Sequence, residues 1–216
     1  MIYYTADLHL GYAPMLAHRP FESVQAMDET LIRNWNETVG PDDTVYIVGD
    51  FSYNGGVVPA QYFRRLQGRK HLIRGNHDTG LENAQALFEY CESVVDYWEL
   101  DDGEEHIILC HYPMIYEKRG YMIHGHLHAH RGRAYTMLQQ LPKVLNCGVD
   151  VNFLRPVTLA QLVENNALFY GPDSLRHFPE YTGKSVCRDG LLPRRPDFRP
   201  LPQRGSAAGR PGDFVL

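Results

Sequence analysis

A chain of 216 residues and 24.8 kDa is long enough to bury one sizeable core and too short for a second catalytic domain beside it. Hydrophobic residues at 44% and charged residues at 22% exclude a disordered, fibrous or coiled-coil chain. With 21 basic against 26 acidic residues the net charge is −5, the wrong sign for gripping nucleic acid over a broad surface, so a phosphate-bearing substrate has to be held locally.

No run approaches the roughly 18 apolar residues that span a bilayer. The start, MIYYTADLHL, has neither a basic n-region nor an apolar h-region. Cys91, Cys110, Cys147 and Cys187 contain no CxxC pair and suit a reducing compartment. The expectation is a soluble cytoplasmic protein with no membrane partner; oligomeric state is not legible.

Ile2 to Asp7 reads as a strand that stops at a carboxylate, followed by a loop through Gly11 and Pro14 to Arg19-Pro20-Phe21. Val24, Met27, Leu31, Ile32, Trp35 and Val39 recur at helical spacing and predict a helix from the N-cap Ser23 to Val39. Thr44 to Val48 is a buried strand ending in Gly49-Asp50, Val58 to Leu66 a short helix, and Lys70 to Arg74 a strand ending in Gly75-Asn76-His77-Asp78. A helix is predicted over Leu81 to Tyr90. Strand then follows strand at Val94 to Leu100, Glu105 to Cys110, Tyr121 to Ile123 and Lys143 to Val149, with Asp101-Asp102-Gly103 as a hairpin turn. Thr158 to Phe169 is the last helix. This order predicts a sheet-rich α/β sandwich with helices on its outer faces.

From Gly171 the composition changes. Residues 171–216 hold seven of the fourteen prolines and carry 8 − 5 = +3, leaving −8 on residues 1–170. The division is therefore a domain over 1–170 and a Pro/Arg/Gly-rich tail over 171–216, expected to be extended or disordered.

Polar residues close the predicted strands: Asp7 and His9, Asp50, Asn76 and His77, His111, then His126 and His128. Strand ends in α/β sheets are where loops converge on a ligand, so separate blocks can furnish one cleft. The donors are imidazole nitrogens, carboxylate oxygens and an amide oxygen, which suit Mn²⁺, Fe or Zn²⁺ rather than a structural thiolate zinc site. Seven donors are too many for one tetrahedral metal and about right for two ions sharing a carboxylate. Any one of these histidines alone reads as an ordinary surface or hydrogen-bonded residue; it is their joint order that points to metal.

At these residues the chain resembles the calcineurin-like metallophosphoesterase superfamily, whose ordered signature is DxH, GD, GNH(D/E), a lone H and GHxH. The blocks here are Asp7-Leu8-His9, Gly49-Asp50, Gly75-Asn76-His77-Asp78, His111 and Gly125-His126-Leu127-His128. Arg19 to Phe21, Cys110 to Pro113 and Asn146 to Asp150 look like a small bacterial or phage-type subfamily. The resemblance covers about residues 1–170 and implies two packed mixed β-sheets flanked by helices.

It further implies two divalent metal ions, manganese first. Asp7, His9 and His128 would hold one, Asn76, His111 and His126 the other, with Asp50 between them and a bridging water as nucleophile. His77 would assist the leaving group, with Asp78 orienting its imidazole. Arg19 is read as a phosphate clamp. The implied partner is a small phosphorylated substrate, a monoester, diester or nucleotide. The protein serine/threonine phosphatases and dinucleoside tetraphosphatases carry GDxxxRG, whereas Gly49-Asp50-Phe51-Ser52-Tyr53-Asn54-Gly55 lacks that arginine, which argues against those branches. Two alternatives stand beside the hydrolase: a non-catalytic interaction scaffold of the same fold, and a nuclease.

Overall fold

The computed structural model describes residues 1–52, 59–78, 89–115 and 120–179. The first sheet holds four parallel strands in the order β1 (Ile2–Thr5), β2 (Thr44–Val48), β3 (Arg69–Ile73) and β4 (Ser93–Val95). The second holds β5 (Trp98–Asp102), β6 (Glu105–Leu109), β7 (Tyr121–His124) and β8 (Val144–Asn146), antiparallel at β5–β6 and parallel elsewhere. This is the α/β sandwich expected, with one sheet mixed and the other wholly parallel in its described strands.

Alternation along the strands decides which side chain faces which layer. Tyr4, Ala6, Tyr46, Val48 and Ile73 pack across the sandwich against Ile107, Leu109, Ile123 and Leu145. Their strand neighbours Tyr3, Val45, Ile47 and Leu72 face the other way, onto Met27, Leu31 and Trp35. Those three lie on α1 (Val24–Asn36), which starts where Ser23 accepts the Ala26 amide. Ile108, Met122 and Val144 on the far side of the second sheet meet Leu138 of α3 (Arg133–Leu138). A short α2 (Pro59–Phe63) and α4 (Leu159–Tyr170), the latter started by a Thr158/Gln161 capping box, complete the flanks.

Three expectations change. The predicted strand over Val94 to Leu100 is two strands in different sheets, divided at Asp96, which pairs with Arg74, and at the exposed Tyr97. A hydrophobic run does not say which sheet it joins, so the break was invisible. Arg133–Leu138, where the sequence predicts no element, forms α3, while the helix predicted over Leu81 to Tyr90 lies outside the described residues except for its last two positions. The packed body also runs past Tyr170: α5 (Ser174–His177) and the buried Phe178 sit on Val151 and Phe169, held by Arg131 through Ser174 Oγ and the Phe178 carbonyl.

Candidate metal centre

The carboxyl ends of parallel strands from both sheets meet at one edge of the sandwich. β1 runs out into Asp7 and His9, β2 into Asp50, β3 into Asn76 and His77, β6 into His111, and β7 into His126 and His128. Asp7, His9, Asp50, His126 and His128 all have left-handed backbones, with φ of 56, 50, 53, 70 and 49°. Non-glycine residues seldom adopt this conformation, which costs of order 1–3 kcal/mol each and persists where the surroundings over-determine it. These five residues bend three chain segments, after β1, β2 and β7, so that their side chains turn inward. Closeness also explains the neighbouring glycines: a Cβ on Gly49 would stand 2.3 Å from His111 Nδ1, and one on Gly75 2.3 Å from Asp50 Oδ1.

Three sets of donor atoms lie within 4.8 Å of one another: Asp7 with His9 and His128, His9 with Asp50 and His77, and Asp50 with His111 and His126. Asn76 Oδ1 joins the last set, 3.1 Å from His111 Nε2 and 2.9 Å from His126 Nδ1. Asp50 Oδ2 lies 3.6 Å from His9 Nε2 and 3.3 Å from His111 Nε2. All seven residues singled out as ligands thus converge, with His77 beside them.

Hydrogen bonds outside the cluster set the imidazoles. His111 Nδ1 donates to the Val48 carbonyl at 2.9 Å, and His128 Nδ1 donates to Asp150 Oδ2 at 2.8 Å. Those acceptors fix the tautomers and turn each Nε2 toward the centre, the usual arrangement behind a metal-bound histidine. Asp7 Oδ2 is buried without a hydrogen-bond partner. Orphaned polar atoms are costly unless a further ligand completes them, and in a set of imidazoles and carboxylates a divalent cation is the ligand that fits.

The charges point the same way. Burial raises the Asp50 carboxyl, but the hydrogen bond and charge of His111 outweigh it and, with the His77 amide, hold it at about 2. Burial presses His9 down to about 3 and His126 downward, keeping both imidazoles neutral and able to ligate. For His111 and His128 the carboxylates win over burial and the imidazoles rise.

A family model of the calcineurin-like phosphoesterases matches residues 1–189. The chain belongs to this family. It is therefore a metal-dependent phosphoesterase. This calcineurin-like phosphoesterase is 31% identical over 169 residues to an uncharacterized protein of Methanocaldococcus jannaschii, covering 76% of this chain and 89% of that one. It is 28% identical over 178 residues to the Gene 66 protein of Mycobacterium phage D29, covering 69% and 87%. A protein of unknown function from Aquifex aeolicus shares the fold at a TM-score of 0.61 and 24% identity, over 76% of this chain and 98% of the other. Among the described residues no helix is long and apolar enough to cross a membrane.

Two expected roles are corrected. Arg19 is not placed to clamp a substrate phosphate, because its guanidinium is buried beneath the cluster and committed to Asp150 and to the Asp7 and Leu8 carbonyls. Asp78 acts on the backbone: its carboxylate, raised to about 6 by burial, accepts the amides of Asp50, Phe51 and Gly75. It thereby ties the β2 and β3 loops together and positions His77 through the chain. Sequence reasoning passed over Asp150, whose only signal was its place at the end of Asn146 to Asp150. It also passed over two tyrosines: the Tyr12 ring lies 5.7 Å from those of both His9 and His77, and Tyr112, 49% exposed, is 4.8 Å from His126.

Proposed function

We propose that this phosphoesterase holds two divalent cations that share Asp50, one on Asp7, His9 and His128 and the other on Asn76, His111 and His126. Its substrate is a small phosphomonoester, phosphodiester or nucleotide. The observation that carries the reading is the position of Asp50 Oδ2, in reach of an imidazole from each donor group. Manganese is the expected metal, with Fe or Zn²⁺ suited to the same donors. When bound, such a pair supplies positive charge to the phosphoryl oxygens and lowers the pKa of a water molecule toward neutrality.

The protein's own part is orientation and proton transfer. Asp50 accepts the His77 amide at 2.8 Å, which fixes the loop so that the His77 ring stands edge-on to His9 with centroids 5.0 Å apart. His77 has no seat in the two-ion set and is assigned to the departing oxygen, to which it donates a proton. Tyr12 stands beside His77 and Tyr112 beside His126, and the two rings supply walls against which an organic group rests.

The test is hydrolysis of a chromogenic phosphomonoester, a phosphodiester and a nucleotide panel by protein stripped with a chelator and reconstituted with Mn²⁺. Turnover that appears only with metal, on at least one substrate, is expected. Silence on all of them with Mn²⁺, Fe²⁺ and Zn²⁺ would contradict the reading and favour an interaction scaffold.

A further inference from the structure

Resting on the two-cation reading, we infer that Arg19 is a positioning residue for one cation, that on Asp7, His9 and His128, and has no part in holding the other. The guanidinium side chain is 1% exposed. Its Nε donates to Asp150 Oδ1 at 2.7 Å and its Nη2 to Asp150 Oδ2 at 3.1 Å, the two-pronged grip that a planar fork makes on a carboxylate. Nη1 donates to the Leu8 carbonyl at 2.8 Å and Nη2 to the Asp7 carbonyl at 2.5 Å.

Each of these four contacts leads, through a backbone turn or through the Asp150 carboxylate, to a ligand of the same cation. The Asp7 and Leu8 carbonyls belong to the turn in which Asp7 and His9 are held left-handed. Asp150 Oδ2 accepts His128 Nδ1 at 2.8 Å, so the carboxylate gripped by Arg19 orients the third ligand. One rigid group therefore sets a backbone turn on β1 and an imidazole after β7, elements of different sheets. The second donor group is set chiefly by other means: His111 rests on the Val48 carbonyl and Asn76 lies between His111 and His126, while the His126 amide also donates to Asp7 Oδ1 at 2.9 Å, a tie to the first group through the Asp7 carboxylate rather than through an atom that Arg19 touches.

Arg19 also supplies the positive charge that lets Asp150 sit ionised and mostly enclosed behind His128. A lysine would keep the charge but, as a point donor on a flexible stem, could not span a carboxylate and two carbonyls at once. Loss of such an outer partner ordinarily weakens metal affinity by about 10- to 100-fold.

The experiment is calorimetric titration of chelator-stripped protein with Mn²⁺, with the metal-free melting transition measured alongside. Wild type is compared with Arg19→Lys and with the double variant Arg19→Met/Asp150→Leu, which removes both buried charges together. Wild type is expected to bind two ions. Each variant keeps a cooperative metal-free transition, binds one ion with unchanged affinity and binds the other about 10- to 100-fold more weakly. Arg19→Lys carries the test by itself if the double variant does not fold. Two ions bound at wild-type affinity, or both weakened alike as a merely structural role would require, would overturn the inference. Fewer than two ions on wild type would overturn the two-cation reading, and the inference with it.

Discussion

At the scale of single residues, the side chain in reach of the reacting group is separable from those that hold metal. His77→Ala is expected to lower kcat by about 10²- to 10⁴-fold with Mn²⁺ content unchanged, measured as turnover beside elemental analysis. Because His77 also lies within one candidate donor set, with His9 and Asp50, loss of a cation in that variant would instead make it a ligand. The ligands were legible because the resemblance rests on short blocks in a fixed order. The Arg19–Asp150 pair was not, since 131 positions separate its members and neither stands in a motif that announces the other. His124, left out of the ligand set, serves the metal-free protein in another way. Its ring is fully buried, and burial, with the charges of His111 and His126, brings it down to about 4 from 6.5. The folded chain therefore keeps it neutral while the unfolded chain takes up a proton below about 6.5. Its contribution to stability is present above that pH and lost as pH falls toward about 4, with His9, brought down to about 3, acting in the same sense. His124→Gln should flatten the fall in melting temperature of the metal-free protein between those limits; an unchanged slope would contradict this.

At the scale of elements, strand ends rather than helices deliver the chemistry, and their turns are close enough that small additions matter. Gly75→Ala would drive a Cβ to within 2.3 Å of Asp50 Oδ1 and 2.6 Å of the Asp50 amide. The expected result is a loss of about 1–3 kcal/mol from forced backbone shifts together with weakened Mn²⁺ binding, read by thermal melting and titration. Unaltered melting and binding would show that the β2 and β3 loops have slack there. Strand positions were legible wherever an apolar run ended in a motif, as at Val48 and Ile73. Where tertiary pairing alone decides, they were not: Val94-Val95 and Trp98 to Leu100 look alike in sequence yet join different sheets. The short helix over Arg133–Leu138 was hidden for a related reason. Its buried contact is chiefly Leu138 on the second sheet, too few apolar positions to show a helical period.

At the scale of the whole molecule, the centre exists only when the two sheets are assembled, because Asp7, Asp50 and Asn76 follow strands of one and His111, His126 and His128 follow strands of the other. Cation binding therefore stabilises the sandwich as a unit. The sandwich class was legible from strand and helix order; the end of the body was not, because Ser174 and Phe178 fasten through Arg131 rather than through a continuing helix. Truncation after residue 170 uncovers Phe169 and Val151 and should lower the melting temperature relative to truncation after 179. Equal melting of the two truncations would show that residues 171–179 add nothing. The central claim, two cations bridged by Asp50, is tested most directly by anomalous diffraction from crystals of the Mn²⁺-loaded protein. The account predicts two peaks roughly 3.5–4 Å apart, with Asp50 Oδ2 between them. A single peak, or two that do not share Asp50, would contradict it.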